Sequence, residues 1–304
     1  MTQVALPSAA RDRLLERFGP GTAAWLDGLG ARVGELCRQW ELEPGPVHAG
    51  GTGAVVQCRS ARDGSHYGLK LTPDRTVAGQ EGAALTYWAE APAVVDLVAA
   101  DPGRGALLLE WLPDATVLGG WQVRELAALI ADLYPDGHDA RRGAPPATVP
   151  SASERLDTVF DMWDRRRRAL PESPVDDADW ARCRDAALAM AGHGTTLLHG
   201  DLHAGNILRA GQGRGLVAID PRPCLGDPAM DLADLAMNGP GGAAGIRGRC
   251  QEMAALAAAV DADRLWRWCC NFAPLMAVSR AHARGPRLGP FPPYTAGGAR
   301  RTVD

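Results

Sequence analysis

His199-Gly-Asp-Leu-His-Ala-Gly-Asn206 is the stretch that decides the fold, and Leu216-Val-Ala-Ile-Asp220 follows it closely. Short apolar runs lead into the polar residues of both segments, which predicts loops held by buried strands. A phosphoryl-transfer site needs an Asp that orients the acceptor hydroxyl and takes its proton. It also needs two side chains that offer oxygen ligands to Mg²⁺. The spacing therefore predicts Asp201 as the catalytic base, with Asn206 and Asp220 as metal ligands.

The same residues also have a purely structural interpretation. Asp201 could cap a turn, Asn206 could occupy a left-handed turn position, and His199 could be a hydrogen-bonded core histidine. A motif of this length arises by chance in some chains, so it needs support from elsewhere in the sequence. Features upstream provide that support, because they follow in the order that a kinase needs.

Two upstream segments predict a binding site for nucleotide phosphates. Residues 49–56 form a glycine-rich turn that enters an apolar run, and Lys70 is the single charge in the apolar strand Tyr67–Leu71. Glycines such as Gly51 and Gly53 let backbone N–H groups approach phosphates, and a Lys adds a positive charge. The glycine spacing departs from G-x-G-x-x-G, so an ordinary hairpin turn and an edge-strand Lys remain alternatives.

A helix is predicted from about Thr76 to Glu90, with Glu81 in its first half. Kinases hold the phosphate-binding Lys with a helix Glu. Glu81 follows Lys70 by eleven residues, so one loop and one turn of helix could bring the two together. The alternative is a helical Glu that faces solvent.

The segment Leu107–Pro113 ends the part of the chain that is predicted to bind nucleotide. An extended apolar run stopped by Pro suits a hinge whose backbone groups contact adenine. Glu110 and Leu112 are therefore predicted to bind the nucleotide cofactor.

These motifs resemble those of the aminoglycoside phosphotransferase family, and most closely its streptomycin 6-kinase and hydroxyurea phosphotransferase branch. The specific resemblance lies in Leu197–Arg209 and in Leu216–Ala233, which contains Ile-Asp-Pro-x-Pro and Gly-Asp-Pro-x-x-Asp-Leu. Tyr67–Leu71 and Leu107–Leu112 resemble the family more loosely.

The resemblance implies a two-lobed, protein-kinase-like α+β fold. Residues 1–112 would form N-terminal helices and a small antiparallel-sheet lobe that binds nucleotide, and residues 113–304 a mostly helical lobe with the catalytic and metal-binding loops. The implied cofactors are ATP, positioned by Lys70 with Glu81, and Mg²⁺. Gly226-Asp227-Pro228 begins six residues after Asp220, which leaves no room for the long activation segment of protein kinases. The expected enzyme is therefore a small-molecule kinase that is constitutively active.

Composition agrees with this expectation. Apolar residues make up 46% and charged residues 22% of the 304-residue chain, as in ordinary globular proteins. A net charge of −4 does not indicate a nucleic-acid partner, and the sequence contains no apolar run long enough to cross a membrane. The first twenty residues lack the pattern of a signal peptide, and the seven Cys show no metal-ligand spacing. We expect a cytoplasmic monomer that binds a small molecule.

The favoured function is ATP-dependent phosphorylation of a hydroxyl on a streptomycin-like aminoglycoside, which would confer resistance. The acceptor could instead be hydroxyurea, a peptide antibiotic or a metabolite, or the chain could be a kinase-fold protein that binds without turnover.

A binding site for a cationic drug should present carboxylates. The candidates are Asp227, Asp231, Asp234, Asp261 and Asp263. Helix starts also favour acids, so a capping or packing role is the alternative for these residues.

The coarse secondary structure follows from periodicity and from Gly and Pro positions. Helices are predicted over residues 8–18, 22–40, 118–134, 151–170, 176–192, 227–237, 246–260 and 262–282, and strands within 46–72 and near 93–99 and 105–111. The tail from Gly285 onward is expected to pack irregularly because it has little apolar surface to bury.

Overall fold

The computed structural model describes residues 6–135, 143–192, 194–211 and 213–283. The chain forms two compact units. The N-terminal unit comprises Met1–Ala115 with Ala210–Arg214, and the C-terminal unit comprises Thr116–Arg209 with Gly215–Asp304. The predicted assignment of nucleotide binding to residues 1–112 and of catalysis to residues 113–304 stays a prediction.

A five-stranded antiparallel sheet in the order β1-β2-β3-β5-β4 forms the frame of the N-terminal unit. The strands are β1 (Leu42–Ala49), β2 (Ala54–Ser60), β3 (His66–Leu71), β4 (Leu97–Asp101) and β5 (Ala106–Glu110). The helices are α1 (Ser8–Phe18), α2 (Thr22–Asp27), α3 (Leu29–Gln39) and α4 (Arg75–Tyr87).

Side-chain alternation along β3 divides the sheet into two faces. Leu69 and Leu71 are fully buried in a core cluster that contains residues of α1, α2 and α3. Lys70 lies between them in sequence, so its side chain points to the opposite face, where α4 packs. The sheet therefore buries its apolar side under the N-terminal helices and presents the Lys toward α4.

One predicted helix of this unit is wrong in its extent. The segment 22–40 forms two helices that meet at Gly28, whose ψ of 2° departs from the helical value. Gly28 ends α2 by donating its N–H to Ala24 O at 3.1 Å, and its own carbonyl accepts from Arg32 N at 3.1 Å. Glycine has a low helix propensity, which makes it the natural point for this break.

The strand predicted near 93–99 also begins later than expected, at Leu97. Two turn hydrogen bonds occupy the preceding residues, from Ala91 N to Trp88 O at 2.8 Å and from Val94 N to Ala91 O at 2.9 Å. Apolar residues of this turn are buried without belonging to the sheet, so the apolar pattern alone marked the strand too early.

The C-terminal unit is mostly helical. Its helices are α5 (Ala127–Leu133), α6 (Ala152–Arg168), α7 (Asp177–Ala191), α8 (Pro228–Asp231), α9 (Ala233–Met237), α10 (Gly242–Ala254) and α11 (Ala262–Ala283). Its strands are β6 (Thr116–Val117), β7 (Thr196–Leu198), β8 (Ile207–Ala210), β9 (Gly215–Ala218) and β10 (Cys224–Gly226). They form a β6-β8-β9 sheet and a β10-β7 pair, which flank the Asp201–Asn206 loop in sequence.

The helix predicted over 118–134 is shorter in the structure. Leu118 N donates to Ile207 O at 2.8 Å, which extends the pairing of β6 with β8, and Gly119 and Gly120 follow. Helical structure starts with the 3₁₀ helix Val123–Leu126, and α5 then continues it. Backbone pairing and two glycines therefore overrode the helical periodicity.

Within the described ranges, no helix combines the length and the apolar character that a membrane span requires. The predicted tail from Gly285 lies outside the described residues, as do residues 136–142, between the helices predicted over 118–134 and 151–170.

Candidate active site

The structure joins Lys70 of β3 to Glu81 of α4 in a buried ion pair. Lys70 Nζ donates to both Glu81 carboxylate oxygens, at 2.5 Å to Oε1 and 2.6 Å to Oε2. The Glu81 side chain is fully buried and that of Lys70 is 8% exposed. Because β3 lies inside the sheet and Glu81 is buried, the edge-strand and solvent-facing alternatives are both excluded. Removing one partner of such a pair typically costs about 3–5 kcal/mol, so each side chain holds the other in place.

The local sequence fixes the position of Glu81 on α4. Asp74 caps the helix, since its Oδ1 accepts hydrogen bonds from Thr76 N at 2.9 Å and from Val77 N at 3.2 Å. Gly82, the residue after Glu81, lies close to the sheet, and a Cβ there would stand 3.2 Å from Leu107 Cδ2. The helix therefore approaches the sheet closely at the turn that carries Glu81.

The glycine-rich turn connects β1 to β2, with Gly50 N donating to Gly53 O at 3.0 Å. A Cβ on Gly53 would lie only 1.9 Å from Leu71 O, so packing against the end of β3 requires glycine at this position. Gly51 is exposed, and a Cβ there would meet no atom of the described residues within 4 Å. Gly53 thus has a packing function that is independent of any ligand, whereas nothing in the fold demands glycine at 51.

These two glycines should respond differently to the same substitution. We expect Gly53→Ala to lower the free energy of unfolding by about 1–3 kcal/mol, because the Leu71 backbone must move to admit the new methyl group. Gly51→Ala should change it by no more than about 0.5 kcal/mol. Urea unfolding of both variants beside the unmodified chain measures the difference. Equal stabilities of the two variants would contradict the packing assigned to Gly53.

The predicted hinge residue Glu110 has its side chain engaged inside the N-terminal unit. Its carboxylate accepts from Asp96 N at 2.8 Å and forms an ion pair with Arg214. Arg214 also donates to the carbonyl oxygens of Pro92, at 3.2 Å, and Val94, at 3.3 Å. The Glu110 carboxylate therefore joins loops of this unit together, a use that the sequence did not indicate.

Leu112, the other residue predicted at the hinge, follows β5 in an irregular segment. It is half-buried, and its carbonyl accepts from Ala115 N at 3.4 Å. The Glu110 N–H is bonded to Asp96 O at 3.0 Å. Contact of either residue with adenine stays a prediction.

In the C-terminal unit, the loop from Asp201 to Asn206 is fixed by hydrogen bonds within itself. Asn206 Nδ2 donates to Asp201 O at 2.9 Å and lies 3.4 Å from Asp201 Oδ2. His203 caps the 3₁₀ helix Ala204–Asn206, because its Nδ1 accepts from Gly205 N at 3.0 Å. The amide nitrogen of Asn206 faces Asp201, so Oδ1 is the atom that would serve a cation.

Asp220 adopts a left-handed backbone conformation, with φ of 57°. The preceding residue, Ile219, donates its N–H to Asn206 O at 2.9 Å, which links the two segments that carry the predicted metal ligands. The sequence alternative of a left-handed Asn206 is wrong, because Asn206 ends the 3₁₀ helix Ala204–Asn206 and does not have a positive φ. A non-glycine residue in this region costs about 1 kcal/mol or more and persists only where its surroundings enforce it.

His199 is the buried histidine that precedes this loop. Its Nε2 lies 3.0 Å from Ile219 O, so it donates to the backbone just before Asp220. Burial lowers the pKa of His199 to about 4, although the carboxyl group of Asp201 opposes that shift. The imidazole is therefore neutral at physiological pH. Nδ1 makes no hydrogen bond to any described residue, so His199 is a core histidine that is only partly satisfied.

A second buried carboxylate, Asp231 of α8, supports the start of the loop. It accepts from Gly200 N with both oxygens, at 2.8 and 3.1 Å, and from the Tyr134 hydroxyl at 2.5 Å. Burial raises the pKa of Asp231 to about 6, while these hydrogen bonds favour its ionised form. The sequence left substrate contact and packing open for Asp231. The structure gives it the task of positioning the backbone beside Asp201.

Asp227 also has a structural function. It is the N-cap of α8, with Oδ1 accepting from Ala229 N at 3.1 Å, and Pro228 occupies the first turn. Its Oδ2 accepts from Trp268 Nε1 at 2.8 Å and from Arg264. The capping alternative is therefore the correct one, and the same carboxylate joins α8 to α11.

The remaining acids differ in their surroundings. Asp261 accepts from Arg264 N at 2.7 Å at the start of α11, and exposed Asp263 lies 3.5 Å from Arg247. Burial raises the pKa of Asp234 to about 6, with His203 opposing that shift. Asp201 adds to the upward shift in the pKa of Asp234, so two residues of the Asp201–Asn206 loop influence this carboxyl group.

The donor atoms fit a metal that is shared with phosphates. Among the described residues, no three His, Cys, Asp or Glu side chains converge on a metal position. Mg²⁺ in nucleotide complexes needs only one or two carboxylates, because phosphate oxygens and waters complete its octahedron. The Asp220 carboxylate and Asn206 Oδ1 are donors of the hard type that Mg²⁺ prefers.

Residues 39–284 match the family model described as aminoglycoside/hydroxyurea antibiotic resistance kinase. The chain belongs to this family. It is accordingly a phosphotransferase whose acceptor is a hydroxyl group.

Two relatives extend the likeness over most of the chain. The hydroxyurea phosphotransferase of Kitasatospora aureofaciens is 33% identical over 245 residues, which cover 78% of this chain and 69% of the relative. The streptomycin 6-kinase of Streptomyces glaucescens is 30% identical over 239 residues, which cover 75% of this chain and 73% of the relative.

The choline kinase LicA from Streptococcus pneumoniae has a similar structure, with a TM-score of 0.52 at 15% identity over 84% of this chain and 91% of that chain. LicA in complex with AMP gives a TM-score of 0.57 at 13% identity over the same shares. This likeness confirms the predicted two-lobed, protein-kinase-like α+β fold, with an antiparallel sheet in one unit and mostly helices in the other.

Proposed function

We propose that the chain is an ATP- and Mg²⁺-dependent O-phosphotransferase that modifies a hydroxyl of a streptomycin-like aminoglycoside and thereby confers resistance. The observation that carries the chemistry is the Asp201–Asn206 loop, whose amide-to-carbonyl bond of 2.9 Å brings the side-chain amide of Asn206 beside Asp201. The likeness to streptomycin 6-kinase supports the choice of acceptor.

In this proposal the N-terminal unit binds the nucleotide. The Lys70 ammonium contacts phosphate oxygens, and Glu81 keeps it in place through the buried ion pair. Backbone N–H groups of the turn that contains Gly51 and Gly53 approach the phosphates. Glu110 and Leu112 contribute backbone contacts to adenine.

The C-terminal unit supplies the chemistry. Asp201 orients the acceptor hydroxyl and accepts its proton as the hydroxyl oxygen bonds to the γ-phosphorus, and the bond from that phosphorus to the β-phosphate oxygen breaks to release ADP. Asn206 and Asp220 would hold Mg²⁺, which neutralises phosphate charge. Positioning and charge neutralisation supply most of the rate. The added phosphate makes a polycationic drug bulkier and less positive, which weakens its binding to RNA.

Hydroxyurea is the second candidate acceptor, because the hydroxyurea phosphotransferase is 33% identical to this chain. A screen of ATP consumption over streptomycin, other aminoglycosides, hydroxyurea and peptide antibiotics distinguishes the candidates. Turnover with streptomycin well above the rate without acceptor supports the proposal. Turnover with hydroxyurea alone would reassign the acceptor, and ATP binding without turnover on any member would favour a binding protein.

The proposed base gives a direct test by substitution. Asp201→Asn should keep the fold and the affinity for ATP but lower kcat by about 10² to 10⁴, the usual contribution of general acid–base assistance. Asp157→Asn, in an exposed ion pair with Arg184 on the same unit, is the matched control and should keep normal kcat. Steady-state kinetics with calorimetric ATP titration measure both quantities. A folded Asp201→Asn variant with near-normal kcat would remove Asp201 from this role.

The charge of the acceptor gives a second test. A cationic aminoglycoside is attracted by carboxylates, and salt screens that attraction. The apparent KM for the drug should therefore rise several-fold from low to high ionic strength, while KM for ATP changes less because metal and Lys70 contacts dominate it. Hydroxyurea is neutral and should show no such rise. A flat salt profile with good streptomycin turnover would contradict electrostatic recognition of the drug.

A further inference from the structure

Arg222 is a buried cation whose hydrogen bonds are incomplete. It is only 7% exposed, and neither Nε nor Nη2 of its guanidinium makes a hydrogen bond to a described residue. Its backbone is held firmly, because its N–H donates to His199 O at 2.7 Å and prolines precede and follow it. Pro restricts the residue before it as well as itself, so the side chain starts from a fixed position.

This arrangement differs from that of a buried arginine with a structural function. Arg167 in α6 is 4% exposed, and it donates to the Asp164 and Asp177 carboxylates and to Val175 O at 3.1 Å. Buried polar groups are nearly always satisfied in this way, because an unpaired buried donor typically costs about 1–3 kcal/mol and a charged one more. Arg222 adds such a cost to the folded chain, which points to a partner that arrives later.

The carboxylate that lies within ion-pair distance of Arg222 is that of Asp220. Arg222 Nη2 and Asp220 Oδ1 are 3.9 Å apart, close enough for attraction but too far for a hydrogen bond. Under the proposed function Asp220 binds Mg²⁺, and a divalent cation would repel the guanidinium at this range. An anion that accompanies the metal would relieve both positive charges at once. The nucleotide triphosphate is such an anion.

We propose that Arg222 is a further nucleotide-binding residue, whose guanidinium donates to phosphate oxygens of the metal-bound nucleotide. The inference rests on the proposed function. Without nucleotide, the positive charge of Arg222 partly balances the negative charge of the Asp220 carboxylate. With MgATP bound, the metal occupies Asp220 and Arg222 transfers to the phosphates. The planar guanidinium suits this task, because its N–H groups match phosphate geometry.

Arg222→Met tests the proposal, since Met keeps most of the buried stem and removes the charge. Its Tm without ligand should equal or exceed that of the unmodified chain, because an unsatisfied buried charge has been removed. Its Kd for MgATP, measured by calorimetric titration, should rise about 10-fold or more, the value of one charge-assisted hydrogen bond. The Kd of Arg222→Lys should lie between those of the unmodified chain and Arg222→Met, because Lys keeps the positive charge but lacks the planar guanidinium.

Arg167→Met is the matched control, and its effects on Tm and on MgATP affinity should be opposite to those of Arg222→Met. It breaks a satisfied network, so its Tm should fall, while the folded protein keeps normal MgATP affinity. An Arg222→Met variant that fails to fold or melts well below the unmodified chain would show a structural function and overturn the proposal. Unchanged or tighter MgATP binding would overturn it too, as expected if Arg222 only competes with the metal or bonds to a buried water.

The unmodified chain and Asp220→Ala separate this inference from the proposed function. If the unmodified chain does not bind MgATP, the proposed function fails and the inference fails with it. If the unmodified chain binds MgATP and Asp220→Ala does not, but Arg222→Met binds normally, only the role of Arg222 is refuted.

Discussion

The buried Asp231 carboxylate is the constraint on which the Asp201–Asn206 loop of the C-terminal unit depends. Both of its oxygens accept the Gly200 N–H, at 2.8 and 3.1 Å, and the hydroxyl of Tyr134, the residue that follows α5, also donates to it. Gly200 has a φ of 74°, and a Cβ there would lie 1.9 Å from Arg222 O, so only glycine fits. The contacts of Gly200 with Asp231 and Arg222 therefore fix the direction of two backbone segments. One segment leads to Asp201, and the other comes from Asp220. A buried carboxylate bonded to main-chain donors is rigid, and a rigid support is what a phosphoryl-transfer site needs.

Lys70 and Arg222 are two buried cations that differ in how they are paired. Lys70 is neutralised by Glu81 within 2.6 Å, and this pair holds a helix against the sheet. Arg222 is buried to a similar degree, but its neighbour Asp220 stands 3.9 Å away. A fully paired cation stabilises its surroundings in the free protein. An incompletely paired cation raises the free energy of the unliganded protein. A ligand that completes its hydrogen bonds removes this cost, which makes binding more favourable.

Several residues that the sequence predicts as ligand contacts also hold the fold together. Gly53 is needed because Leu71 O lies in the place of its missing side chain, and Asp227 caps α8 while accepting from Trp268. The Glu110 carboxylate is taken by Arg214 and by the Asp96 N–H. A kinase motif therefore combines residues that contact substrates with residues that fix the loops, and spacing alone does not separate the two classes.

The sequence by itself determined the fold class, the Lys70–Glu81 pairing and the loop from Asp201 to Asn206, because each depends on short-range patterns: an apolar strand, a helix and a tight loop. It predicted one continuous helix over 22–40, where the structure has a break at Gly28, and it started β4 too early because a turn occupies the residues before Leu97. Only the tertiary structure showed the hydrogen bonds of Asp231 and the incomplete pairing of Arg222. Their partners lie far along the chain or on the opposite side of a turn, and burial, which makes an unpaired charge costly, is a property of the packed molecule.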